Sequence, residues 1–135
     1  MKQIILFIFT SCAIIFFNTA SADKRLSADE VKKLFLNQTT ESYHLIKDFS
    51  VSAYYDPNGQ FYGIRDDSIF QGKWDVNNDG DICLTWESGR VFCLQVHEDK
   101  GTYYKVKLKG NGKLKRIFEY KSFSKGNTKN YKFVE

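Results

Sequence analysis

From Phe49 to Lys121, apolar and polar residues alternate with a period of two, and turn residues interrupt the alternation every eight to twelve positions. This pattern predicts short antiparallel strands, each with one face toward a core and the other toward water. The interruptions carry their own chemistry: Asp56-Pro57-Asn58-Gly59, Asn77-Asn78-Asp79-Gly80, Glu87-Ser88-Gly89 and Gly110-Asn111-Gly112 combine residues that tolerate or favour tight turns. Links this short make consecutive strands antiparallel neighbours in a meander. The strands read this way are 49–55, 60–65, 69–76, 81–86, 90–97, 102–108 and 114–121, with room for an eighth at 129–134.

The hairpin over 81–97 fixes its own register. A three-residue loop with Gly89 in the left-handed position sets Trp86 against Arg90, Leu84 against Phe92 and Ile82 against Leu94, and brings Cys83 opposite Cys93. Directly opposed strand residues lie within disulfide reach. Ile82, Leu84, Trp86, Phe92, Leu94 and Val96 then share the core face, and the expected disulfide lies on the outer one. The preceding strand turns Phe70, Gly72, Trp74 and Val76 inward, with Gly72 opposite Trp86 to leave room for the indole. Carrying the same parity downstream turns Tyr104, Val106 and Leu108 inward and Lys105, Lys107 and Lys109 outward. A symmetric hairpin through Gly110-Asn111-Gly112 sets Lys107 opposite Lys115.

One helix precedes the strands. Ser27 and Glu30 form a capping box, Leu26 and Val31 a hydrophobic staple, and Val31, Leu34 and Phe35 one apolar face that ends before Asn37-Gln38-Thr39-Thr40. Further upstream, Lys2, the apolar run from Ile4 to Phe17 and Ala20-Ser21-Ala22 have the three-part form of a cleavable signal peptide over 1–22. The apolar core is shorter than the roughly 18–20 residues that span a bilayer. Cleavage leaves one domain, 23–135, with Cys83 and Cys93 as its two cysteines. Such a pair fits a periplasmic or secreted location, where disulfides persist.

Charge is divided unevenly: Asp23–Asp99 carries a net −6 and Lys100–Glu135 a net +9. A basic C-terminal half points to an anionic envelope component or an acidic protein as partner, met through Lys105, Lys107 and Lys115. The inward set Trp74, Trp86 and Phe92 supplies the alternative, a small barrel holding an apolar ligand.

Other motifs do not reach a site. Asp75-Val76-Asn77-Asn78-Asp79-Gly80-Asp81-Ile82 matches the first half of a calcium loop, but the twelfth position is Trp86 where a bidentate glutamate is needed. The segment reads as a polar hairpin turn. His44 and His97 have no metal-ligand spacing, and His97, beside Glu98 and Asp99, reads as a surface residue. No strained serine elbow is present. The expectation is therefore no catalytic residue, no metal, no cofactor and no nucleic-acid partner, with an uncharacterised hydrolase as the remaining alternative.

The capped helix Leu26–Phe35, Tyr54-Tyr55-Asp56-Pro57-Asn58-Gly59, Gly72-Lys73-Trp74 and the order Cys83, Trp86, Cys93 resemble a small exported bacterial family, that of domain of unknown function nine-nine-five. The resemblance spans roughly Leu26 to Gly112, and its motifs imply a structure and no established activity. Gly72-Lys73-Trp74 also resembles the Gly-x-Trp signature of lipocalins, which carry it on their first strand; here it lies on the third strand read. The expected fold is thus mostly β: an N-terminal helix and an antiparallel meander of seven or eight strands forming a small lipocalin-like barrel.

Overall fold

The structure is a computed structural model that describes residues 23–134, so the expected signal peptide lies outside the described residues. The turn residues act where the sequence places them. Gly59, Gly80, Gly89 and Gly112 all take positive φ, and the chain reverses at each. The strands between are β2 (Gln38–His44), β3 (Phe49–Tyr55), β4 (Gln60–Arg65), β5 (Ser68–Val76), β6 (Ile82–Trp86), β7 (Val91–Asp99), β8 (Thr102–Leu108) and β9 (Leu114–Lys125). Each pairs antiparallel with the next, and β9 returns to pair with β2. The result is a closed eight-stranded up-and-down barrel. A two-residue strand, β1 (Lys24–Arg25), pairs with β7 at His97 and Glu98.

The helix α1 (Ala28–Phe35) begins in the expected capping box, with Ser27 and Glu30 bonded reciprocally. Val31 and Phe35 are fully buried, and the Phe35 ring meets Tyr55, Tyr120 and Phe123 edge-on, its centroid 4.8, 5.3 and 5.4 Å from theirs. The helix therefore plugs the barrel end where β3 and β9 finish.

The 81–97 hairpin has the expected register, Ile82 with Leu94, Cys83 with Cys93 and Leu84 with Phe92, and the two cysteines are bonded. Intact mass of the oxidised protein should lie about 2 Da below the reduced value, and replacing both cysteines by alanine should cost about 2.5–3 kcal/mol in urea unfolding while leaving the fold in place. Native free thiols would contradict the bond.

Four details differ from the sequence reading. The segment after the helix is strand β2, whose inward residues Thr40, Ser42 and His44 are polar and so give no apolar alternation. As a consequence of that same extra strand, Gly72-Lys73-Trp74 lies on the fourth barrel strand. The 129–134 segment is not a strand: Tyr131 and Phe133 pack on the outer rings of Tyr54 and Tyr62, and Asn127 binds the Tyr131 backbone through both its donor and its acceptor.

Gly72 does stand opposite Trp86, but a Cβ there would lie 2.2 Å from the Thr85 carbonyl oxygen. Its bareness therefore lets two backbones approach, and does not make room for the indole.

The fourth difference is in β8. Lys100 and Gly101, at φ +50° and +82°, form a two-residue turn that pairs Asp99 with Thr102 and Val96 with Lys105. Even-numbered inward residues on β7 are thereby matched to odd-numbered ones on β8. Tyr103 and Lys105 face in, whereas Tyr104 and Val106 lie on the outer face with His97.

Candidate functional site

Closure by the helix at one end leaves an apolar cavity of about 210 Å³ inside the barrel. Its floor is Tyr55, Tyr120 and Lys105; its wall includes Val51, Ala53, Phe61, Ile82, Leu84 and Leu94; Phe49, Arg65, Phe70, Trp86 and Phe92 stand toward the opposite, open end. The exposure of Arg65 and Phe92 marks that end as the mouth. Of the three pocket residues expected from the sequence, Trp86 and Phe92 line the cavity and Trp74 does not. Trp74 is buried beside the plug, its Nε1 donating to the Asp56 carbonyl at 2.9 Å and its ring perpendicular to that of Tyr55. The turn chemistry of Asp56-Pro57-Asn58-Gly59 brings that carbonyl to the indole, which is why Trp74 belongs to the core.

Lys105 was expected on an outer basic face, and this is overturned: it is 5% exposed. Its Nζ donates to the Tyr55 hydroxyl at 3.0 Å, within 5.5–5.8 Å of the ring centroids of Phe35, Tyr55, Phe118 and Tyr120. The Tyr55 and Tyr120 hydroxyls are 3.4 Å apart. Burial, reinforced by Tyr55, holds the Tyr120 phenol well above its ordinary range, so it remains a hydrogen-bond donor at neutral pH. Lys107 and Lys115 do stand opposite each other, near the mouth, without Lys105 beside them on an outer face.

His44 closes the same side of the mouth. Its Nδ1 accepts from the backbone N–H groups of Ile46 and Lys47 at 3.2 and 3.1 Å, and its ring lies 4.7 Å from those of Phe49 and Phe118. Burial, then Lys47 and Arg65, hold its pKa below the ordinary histidine value. A histidine buried neutral contributes stability above its unfolded pKa of about 6.5 and loses it as pH falls toward the folded value. The melting temperature should therefore drop between pH 7 and pH 5, and His44→Asn, which retains an acceptor, should flatten that drop. An equally steep fall in the variant would remove His44 as the cause.

His97 is not a surface residue. It is 4% exposed, its Nδ1 is 2.8 Å from Asp23 and its Nε2 2.9 Å from Gln95. Arg116, lying over the Tyr104 ring, binds both Asp23 and Asp99. This outer cluster fastens Asp23 to the barrel wall.

The calcium-like turn is used internally. Asn77 Oδ1 accepts from the backbone of Asp79 and Asp81, while Arg25 donates to the Asp79 carbonyl and pairs with Asp81 at 2.9 Å. Its oxygens thus hold the segment that leads into α1.

Comparison of the chain with protein-family models, with curated proteins and with solved structures finds no match. Fold and site define a class: a helix-plugged up-and-down β-barrel around an apolar cavity with an open mouth. Among the described residues no helix is long and apolar enough to cross a membrane.

Proposed function

We propose that the chain is an exported, non-enzymatic binding module whose barrel holds one small apolar ligand between the helix plug and the Trp86–Phe92 rim. The observation that carries this is the cavity itself. Inward aromatic residues are numerous enough to fill a small barrel, yet about 210 Å³ stays open beside them. An apolar cavity of about 150 Å³ already takes benzene. Export rests on the reading of residues 1–22, and the exported family that residues Leu26 to Gly112 resemble fits that reading.

The test uses octanol and octanoate with the mature protein. Either ligand at saturation should raise the melting temperature and change the fluorescence of Trp86. Trp86→Phe should lose the fluorescence response from that position and retain the thermal one. Ala53→Phe, which fills the cavity from a residue 2% exposed in its wall, should lose both. No thermal shift with either ligand would overturn the proposal.

A second reading keeps the anionic envelope surface as partner, with Lys107 and Lys115 retained, Lys105 removed by its burial, and Lys109 and Lys113 added. Leu45, Ile46, Ile69, Val91, Leu108 and Leu114 are exposed at strand ends or turns on the mouth side, near Lys107, Lys109, Lys113 and Lys115. Apolar tips among lysines suit the surface of an anionic bilayer. Salt-sensitive binding to anionic vesicles, lost when Lys107, Lys109 and Lys115 become glutamate, would support it; no binding at physiological ionic strength would remove it.

A further inference from the structure

Lysine is almost never fully buried unless its charge is paired. Lys105 is 5% exposed, and no carboxylate among the described ion pairs meets it. One of its three N–H groups is accounted for by the Tyr55 hydroxyl. The surrounding rings offer only the outer range of cation–π attraction, near ~6 Å. The same side chain borders the cavity, and the other charged residue there is Arg65, also a cation; neither Asp nor Glu lines the space. A low-dielectric pocket with positive charge and hydroxyl donors on its floor is complementary to an anion whose remaining surface is apolar.

We infer that the cavity takes a small amphiphilic carboxylate, its head on Lys105 at the floor and its apolar tail toward Trp86 and Phe92 at the mouth. This rests on the ligand-holding reading above and adds the charge and the direction of the ligand. In that pose the carboxylate accepts from Lys105 Nζ and from the Tyr120 hydroxyl. Both are within reach of one head group, because the Tyr55 oxygen lies 3.0 Å from Nζ and 3.4 Å from the Tyr120 oxygen. Size fits as well: at the volume per atom of a ~150 Å³ cavity that takes a benzene ring, about 210 Å³ holds about eight non-hydrogen atoms, and the end of a longer tail reaches the open mouth.

The experiment compares octanoate, octanol and octylamine by calorimetry at neutral pH, with the intact mature protein. Octanoate should bind at least about tenfold more tightly than octanol, and octylamine most weakly. In Lys105→Met the octanoate advantage should vanish while octanol binding is retained or improved. Octanol bound as tightly as octanoate by the wild type would overturn this inference and leave the ligand-holding barrel standing. Binding of neither would overturn both. Should Lys105→Met fail to fold, the wild-type comparison of octanoate with octanol decides alone.

Discussion

Phe35→Ala is expected to lower the unfolding free energy by about 3–5 kcal/mol, the range for removing a fully buried aromatic side chain. Phe35 is the centre of the plug: it is 0% exposed and packs edge-on against three aromatic rings drawn from β3 and β9. Its loss leaves a void between helix and barrel that those rings, held by their own strands, fill poorly. A helix of eight residues has little stability of its own and depends on this packing. Urea denaturation of wild type and variant measures the difference, and a loss below about 1 kcal/mol would mean the helix does not plug the barrel. Native domains are stable by only about 5–15 kcal/mol. The variant should therefore also show faster hydrogen exchange in α1.

Gly72→Ala is the second large effect, expected near 3 kcal/mol, at the upper end of overpacking costs. The added Cβ would stand 2.2 Å from the Thr85 carbonyl oxygen and 3.2 Å from its carbon, and both belong to backbone already held in the β5–β6 ladder. Gly63 offers a control. A Cβ there would lie 2.2 Å from Phe70 Cε2, a side-chain atom at the border of the cavity and not backbone fixed in a ladder. Gly63→Ala should therefore cost about 1 kcal/mol and, because Phe70 borders the cavity, weaken ligand binding more than it weakens the fold. Equal losses of stability from the two substitutions would show that the Thr85 contact does not govern Gly72.

What could be read from the sequence was what local chemistry determines. The three-residue turn ending in Gly89 and the facing cysteines specify one register for the 81–97 hairpin, and the structure has it. The helix start was legible because Ser27, Glu30, Leu26 and Val31 form a cap and staple within six residues. β2 was not, since its inward Thr40, Ser42 and His44 are polar and one of its two pairing partners, β9, lies about eighty residues along the chain. Lys105 was misplaced for two reasons. The Lys100-Gly101 turn reverses the parity carried forward from β7, and lysine alternating with apolar residues usually marks a solvent face. The aromatic wall of the cavity was therefore partly legible through Trp86 and Phe92, and its cationic floor was not. The volume depended on closure between β2 and β9, which no local pattern announces.

That closure also dictates an order of events. The strand that completes the ring, β9, spans Leu114–Lys125, while the edge it must meet, β2, spans Gln38–His44. A chain emerging from its N-terminus can assemble β2 through β8 as successive hairpins, each from neighbouring sequence. It then holds an open sheet whose β2 edge presents unpaired backbone groups until β9 has been made. Such an edge is a template for the wrong partner, including the β2 of another molecule. Truncation within β9 should therefore yield a product that self-associates through β2, and the final folding step should be slow relative to hairpin formation because its contacts are the most distant in sequence. The cavity is enclosed in that same step, so the interior proposed to hold a ligand exists only when the last strand has docked.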